Sequence, residues 1–349
     1  MEKNKTAWKD HLLKSGLPLE FEIKKFLDEK GCISNMERTY LRSNEASITT
    51  EFSYDIESSY IKGEHFIDLM VECKYRHDSV RWVFLPETYH SIDEIRHTDF
   101  MHPVDHFNTH PFHYFEFPLS FGPLCSKGIE LTNEGANPKT ITQAVTQLAY
   151  AMAEKVTNAV HHQTDEVLST NFKSTTFYNI PIIVTTASLY RLREDVDIRT
   201  IKTAEKLEDV ATKEPYLVLK AKTGSDLLKY NQEIFHNFIM DQDLESLAAK
   251  LRSFNGDPRF IFDHIARESC PNSIVIVHHT PDNLGLTKFF EYIDRVIKPD
   301  QEIFEMVKKK NDEMTAFFEK FERDHPGVDL STCQKDEPEN NAADGLVKE

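Results

Sequence analysis

Glu72 and Lys74 flank Cys73 in the run Ile67–Tyr75, where apolar and polar residues alternate. Such alternation predicts a strand, with Ile67, Leu69, Val71, Cys73 and Tyr75 on one face and Asp68, Met70, Glu72 and Lys74 on the other. Residues two apart on a strand project from the same face, about 6.6 Å apart along it. A carboxylate so placed can bind a metal while the ammonium lies beside the metal's water. Mg2+ keeps several waters and typically takes only one or two protein carboxylates, so one more acidic group from a neighbouring strand completes such a site. The chemistry is activation of a water for attack on phosphorus, with charge stabilised on the leaving oxygen.

Two aspartates compete for the second carboxylate. Asp68 shares the face and strand of Glu72 but lies about 13 Å along it, too far for both to hold one ion. Asp55 falls in residues 47–61, a run rich in β-branched and aromatic types that predicts one strand or two. From an adjacent strand it can approach laterally across the spacing of about 4.8 Å, and it is the expected partner. The structural alternative for the whole cluster is a solvated strand face carrying ion pairs.

The elements that must position these residues read as follows. A helix starts near Gly16-Leu17-Pro18 and stops at Gly31, with Leu19, Ile23, Phe26 and Leu27 as its apolar stripe. Glu20 sits on the margin of that stripe; by residue type alone it is a boundary carboxylate that snorkels to water. Trp82–Leu85 is a further strand, and residues 87–139, rich in Pro, Phe and His, form an irregular insertion. A helix spans Thr140 to about His161, and Asn179–Thr186 reads as a strand buried on both faces. These elements predict a compact α/β unit over 10–195. Residues 196–328 form a C-terminal α/β elaboration, with helices at 200–212, 229–254, 259–268 and 286–324 and strands at 216–220 and 273–278. Residues 329–349 read as a disordered acidic tail.

This ordered set resembles the PD-(D/E)XK nuclease superfamily, in particular its Mrr-like restriction-endonuclease branch, over residues 14–190. Gly16-Leu17-Pro18-Leu19-Glu20 is similar to the family's first helix, Phe52-Ser53-Tyr54-Asp55-Ile56 to the strand bearing its metal-binding Asp, and Glu72-Cys73-Lys74 to its (D/E)-X-K element. No Pro precedes Asp55, and 87–139 is longer than the minimal core. The resemblance implies a restriction-endonuclease-like fold, a mixed central sheet flanked by helices. It implies Mg2+, with Mn2+ as a substitute, held by Asp55, Glu72 and the Cys73 backbone carbonyl. Lys74 orients the attacking water or stabilises the transition state, and Glu20 supports the metal or its water. The implied activity is hydrolysis of phosphodiester bonds in DNA, in restriction, defence or repair.

Length and composition bound the alternatives. The 349 residues include enough apolar surface, with 24 Phe and 12 Tyr, for a large core. No apolar run approaches the roughly 20 residues of a membrane helix, and the charged N-terminus carries no signal core, so a cytoplasmic location and no membrane partner are expected. The five cysteines are scattered without a C-x-x-C pair and read as reduced thiols. Net charge is −17, of which residues 311–349 carry 4 Lys+Arg against 11 Asp+Glu. That balance opposes broad attraction to nucleic acid but leaves room for a local basic groove, for which Lys24, Lys25, Arg38, Arg42, Lys74, Arg76 and Arg81 are the candidates, although Lys24 and Lys25 read rather as the solvated face of the first helix. His97, His102, His106, His110 and His113 are dense enough for a zinc site, yet Pro103 and Pro111 break their helical spacing, and loop histidines are the favoured assignment. No phosphate-loop, dinucleotide-binding or serine-hydrolase motif is present. The rival function is a non-catalytic binding or scaffolding protein on the same fold, with the C-terminal region serving a protein partner or a homodimer contact.

Overall fold

The computed structural model describes residues 7–43, 49–87, 99–107, 119–169, 175–221, 224–250, 258–268 and 273–324. The chain divides into two compact units, Met1–Lys298 and Pro299–Glu349.

The first unit is a mixed α/β structure built on one large sheet. Its strands are β1 (Ile33–Ser43), β2 (Thr49–Lys62), β3 (His65–Lys74), β4 (Arg81–Pro86), β5 (Pro103–Val104), β6 (Leu124–Thr132), β7 (Gly135–Asn137), β8 (Thr176–Thr185), β9 (Ser188–Leu192), β10 (Ala211–Glu214), β11 (Tyr216–Lys220) and β12 (Ser273–His278). The main path runs β1-β2-β3-β8-β12-β11-β6-β4-β9-β10, with β5 on β8 and β7 on β6. At its centre β3, β8 and β12 are parallel. β8 is buried at every position, which explains its unbroken apolar run, since a central parallel strand has both faces covered.

One face is covered by α3 (Lys139–Leu168), a 30-residue helix packed on β1, β2, β3, β6 and β8, with α5 (Ser225–Met240) and α6 (Leu244–Lys250) against it and α7 (Pro258–Glu268) against those two. The core here runs from Tyr40, Tyr54 and Met70 through Leu148 and Met152 to Leu217 and Ile276. On the other side α2 (Leu17–Glu29), preceded by α1 (Ala7–Lys14), packs on β1, β2 and β3, and α8 (Leu284–Ile297) packs on β12. Phe26 of α2 and Tyr60 of β2 both meet Phe290 of α8. A short helix α4 (Ile198–Thr203) is capped by Asp197, which accepts from Thr200 N–H. Among the described residues no helix is long and apolar enough to cross a membrane.

Several expectations are corrected. The division at 195/196 does not fall at a boundary: β11 and β12 lie in the middle of the sheet, between β8 and β6, so residues 196–298 belong to the same unit. Residues 87–139 are not wholly irregular, because β6 joins β11 to β4. Both errors share a cause, since these strands find their partners far away in sequence. The helix expected over 200–212 is only α4 followed by β10, and 229–254 divides into α5 and α6. The helical stretch 286–324 breaks at Lys298–Asp300, where Pro299 cannot continue a helix, leaving α9 (Gln301–Asp324) in the second unit. The 329–349 tail lies outside the described residues.

One buried carboxylate of the sheet is held by three donors. Glu130 of β6, 4% exposed, accepts from Arg76 Nε at 2.6 Å, Trp82 Nε1 at 2.9 Å and Thr140 Oγ1 at 3.0 Å. Burial alone would raise its carboxyl, but these donors hold it below the ordinary value. Beside it Gly128 lies under the fully buried ring of Phe84, its cross-strand partner; a Cβ there would come within 2.4 Å of Phe84 and 2.9 Å of Ile141. Gly128→Ala should therefore overpack this site and lower stability by about 1–3 kcal/mol, read as an earlier urea midpoint at unchanged slope.

Candidate active site

β2 carries Asp55 and β3 carries Glu72 and Lys74, and the two strands separate between them. Their ladder runs antiparallel from Lys62↔His65 to Ile56↔Val71 and stops there. One residue further, the Asp55 side chain replaces a backbone acceptor: its Oδ2 takes the Cys73 N–H at 2.6 Å. β2 also loses its alternation here. Tyr54 lies in the core with α3 and Glu57 pairs with Lys155 of α3, so two residues three apart share a face. β1 answers with a break at the same level, where Glu37 adopts left-handed backbone (φ 53) between the pairs Met36↔Ile56 and Arg38↔Tyr54.

Glu20, in the first turn of α2, joins from the helix. Gly16 precedes that helix with φ 86, and a Cβ there would come within 2.9 Å of Glu20 Oε1. Glycine thus permits the left-handed turn and leaves room for the carboxylate. Lys74 Nζ donates to Glu72 Oε1. Glu72 is 1% exposed and Lys74, at 22%, reaches the surface.

The electrostatics show how these groups bear on one another. Burial, reinforced by the charge of Asp55 and opposed by Lys74, pushes the Glu72 carboxyl up from 4.5 to about 7. Burial also raises Asp55, although the Cys73 N–H and Lys74 pull it down. Glu20 is raised by burial and then by Asp55. Glu37 adds further negative charge against Asp55 and Glu20. One ammonium does not balance this group.

The donor set suits a hard divalent cation, being all carboxylate oxygen. Glu72 Oε2 is buried and has no hydrogen-bond partner, the condition a bound cation would relieve. Among the described residues no three His, Cys, Asp or Glu side chains already converge as metal ligands. Cys73 contributes its N–H to Asp55, while its buried thiol is held well above the ordinary range.

The other candidates fall elsewhere. Asp68 is turned to α3, accepting from Lys155 Nζ at 2.6 Å and Ser59 Oγ at 3.3 Å. The basic residues named from sequence all have partners within the chain: Lys24 pairs with Asp28, Lys25 with Glu29, Arg38 with Glu154, Arg76 with Glu130. Arg42 lies 3.6 Å from the Tyr150 ring centre, and Arg81 donates to the Val80 carbonyl. His102 is buried and lowered to about 4, and the half-buried His106, which meets His264, is also lowered to about 4; His97, His110 and His113 lie outside the described residues. Cys32, Cys73 and Cys125 are free and buried. Glu37 and the whole of β1 escaped the sequence analysis. The break at Glu37 scrambles the alternation of β1, and its Ile33, Met36 and Leu41 are exposed apolar residues that obscure it further.

Compared with protein-family models, curated proteins and solved structures, the chain matches none.

The raised Glu72 carboxyl sets a pH dependence. Between about 4.5 and about 7 the folded protein binds more protons at Glu72 than the unfolded chain does, so this group makes stability fall as pH rises through that window. Glu72→Gln removes the contribution, and Lys74 can turn to water. In urea unfolding at about pH 5 and about pH 8, the stability of the variant relative to wild type should rise at the higher pH. An equal difference at both would mean that Glu72 is already ionised at the lower one.

Proposed function

We propose that the protein is a Mg2+-dependent nuclease of restriction-endonuclease-like fold that hydrolyses phosphodiester bonds in DNA. The observation that carries this is the Glu72–Lys74 pair set beside Asp55 where β2 and β3 part, with Glu72 Oε2 buried and unpartnered. Asp55 and Glu72 would hold the ion, with the Cys73 carbonyl, and Glu20 would support it from α2. Bound there, a divalent cation supplies Lewis acidity, lowering the pKa of water and neutralising charge on the leaving oxygen. Lys74 acts on the reacting phosphate. With a cation held by Glu72, the Lys74 ammonium would be free to turn toward the surface and donate to a phosphoryl oxygen as negative charge develops. The Cys73 N–H fixes Asp55 in place, and burial of Glu72 excludes competing water from its carboxylate.

One observation favours the rival reading of a non-catalytic binding protein: Arg38 and Arg76 are engaged in internal ion pairs, so phosphate contacts would have to displace carboxylates. The same variants decide between the two. Asp55→Asn should abolish both Mg2+-dependent nicking of plasmid DNA and the rise in melting temperature that Mg2+ binding produces by linkage. Lys74→Ala should keep that thermal shift and lose about 100-fold or more in cleavage rate, the scale of losing one transition-state donor. Asp68→Asn should cleave as wild type does. If Mg2+ shifts no melting curve and no nucleic acid is cut, the nuclease reading fails.

A further inference from the structure

The sheet face beneath α3 carries polar side chains where burial calls for apolar ones. The ladders set Ile33, Ser59, Asp68 and Asn179 side by side across β1, β2, β3 and β8. A neighbouring row places Phe66 beside Phe177. The α3 side chains do not close down on this surface. A cavity of about 750 Å3 remains, within the range of small-molecule sites, and α3 contributes Lys155, His162, Asp165 and Glu166 to its walls.

The charge in this cavity has one dominant sign. Glu57, Asp68, Asp165 and Glu166 line it against the ammonium of Lys155. Lys155 is already committed to the floor, donating to Glu57 and to Asp68. Arg38, 4.0 Å from Glu57, is shared with Glu154. Burial keeps the Asp68 carboxyl above its ordinary value even with Lys155 beside it, and the charge of Glu57 adds a smaller push in the same direction. The cavity also lies at the C-terminal end of α3, which stops at Leu168 and whose dipole adds negative potential there. Phe66 and Phe177 supply ring surface, the latter stacked on His162 at 5.9 Å and 14°. Aromatic faces attract cations as carboxylates do.

We propose that this cavity binds a small organic cation, an alkylammonium or guanidinium compound, whose charged group pairs with the excess carboxylates and whose carbon skeleton lies along Phe66 and Phe177. An anion is disfavoured by every charge named except Lys155 and Arg38, which are already paired with carboxylates. The site is separate from the carboxylates of β2 and β3 assigned to Mg2+, and the proposal stands without the nuclease reading.

The test is isothermal titration of the full chain with putrescine and with agmatine, using AMP as an anionic control. At least one amine should bind at a single site, and AMP should not. Because an acidic protein collects amines loosely over its surface, variants within the cavity decide the matter. Glu166→Gln, which keeps an acceptor for the Thr175 hydroxyl at 2.8 Å, and Phe177→Leu should each weaken binding about tenfold, equivalent to about 1.4 kcal/mol. Asp68→Asn should do the same, and Glu166→Gln at the rim stands in for it should Asp68→Asn fail to fold by its melting curve. The proposal is overturned if neither amine binds at millimolar concentration, if AMP binds as tightly, or if the folded cavity variants bind as wild type does.

Discussion

The hydrogen bond from Cys73 N–H to the Asp55 carboxylate is the point from which the rest of the site follows. A strand that leaves its neighbour exposes backbone donors, and a buried donor without a partner costs about 1–3 kcal/mol. Asp55 answers that demand with its side chain, so β2 can turn away from β3 without leaving the Cys73 amide empty. The separation opens the space in which Glu72, Lys74 and Glu20 meet. A matching break lies at the same level in β1, where Glu37 takes a left-handed backbone.

β3 shows how burial assigns different roles to similar residues. Asp68 and Glu72 are both acidic and four residues apart, and burial raises the carboxyl of each. Asp68 has a lysine from α3 and a serine hydroxyl as partners, which makes it part of a packed polar layer. Glu72 has Lys74 on one oxygen, nothing on the other, and two further carboxylates acting on it. An arrangement with that much uncompensated charge is expensive in a folded protein, and such expense is concentrated at sites that bind or react.

The breadth of the sheet is what allows these arrangements to coexist. β8, covered on both sides and paired with parallel neighbours, anchors β3 against the core. Glu130, with its three donors, ties β6 to β4 and to the start of α3. These satisfied elements hold rigid the strand ends at which unsatisfied carboxylates gather, as a site built on strands requires.

The sequence by itself determined the local periodicities and what depends on them: α2 with its stripe of Leu19, Ile23, Phe26 and Leu27, the alternation of β3, the doubly buried β8, and the long helix α3. It also determined that Asp68 lies too far along β3 to share one ion with Glu72, because distance along a strand is set by backbone geometry alone. Only the tertiary structure decided the rest. β11 and β12 complete the centre of the sheet although they come after residue 195, and β6 pairs with strands distant in sequence; no local pattern encodes which strand will be a neighbour. β1 was hidden by the left-handed Glu37, which breaks the period that announces a strand. The ion pairs that occupy Arg38 and Arg76 join residues more than 50 positions apart. Charge can be counted along a chain, but whether it is free to meet a ligand depends on what folding brings beside it.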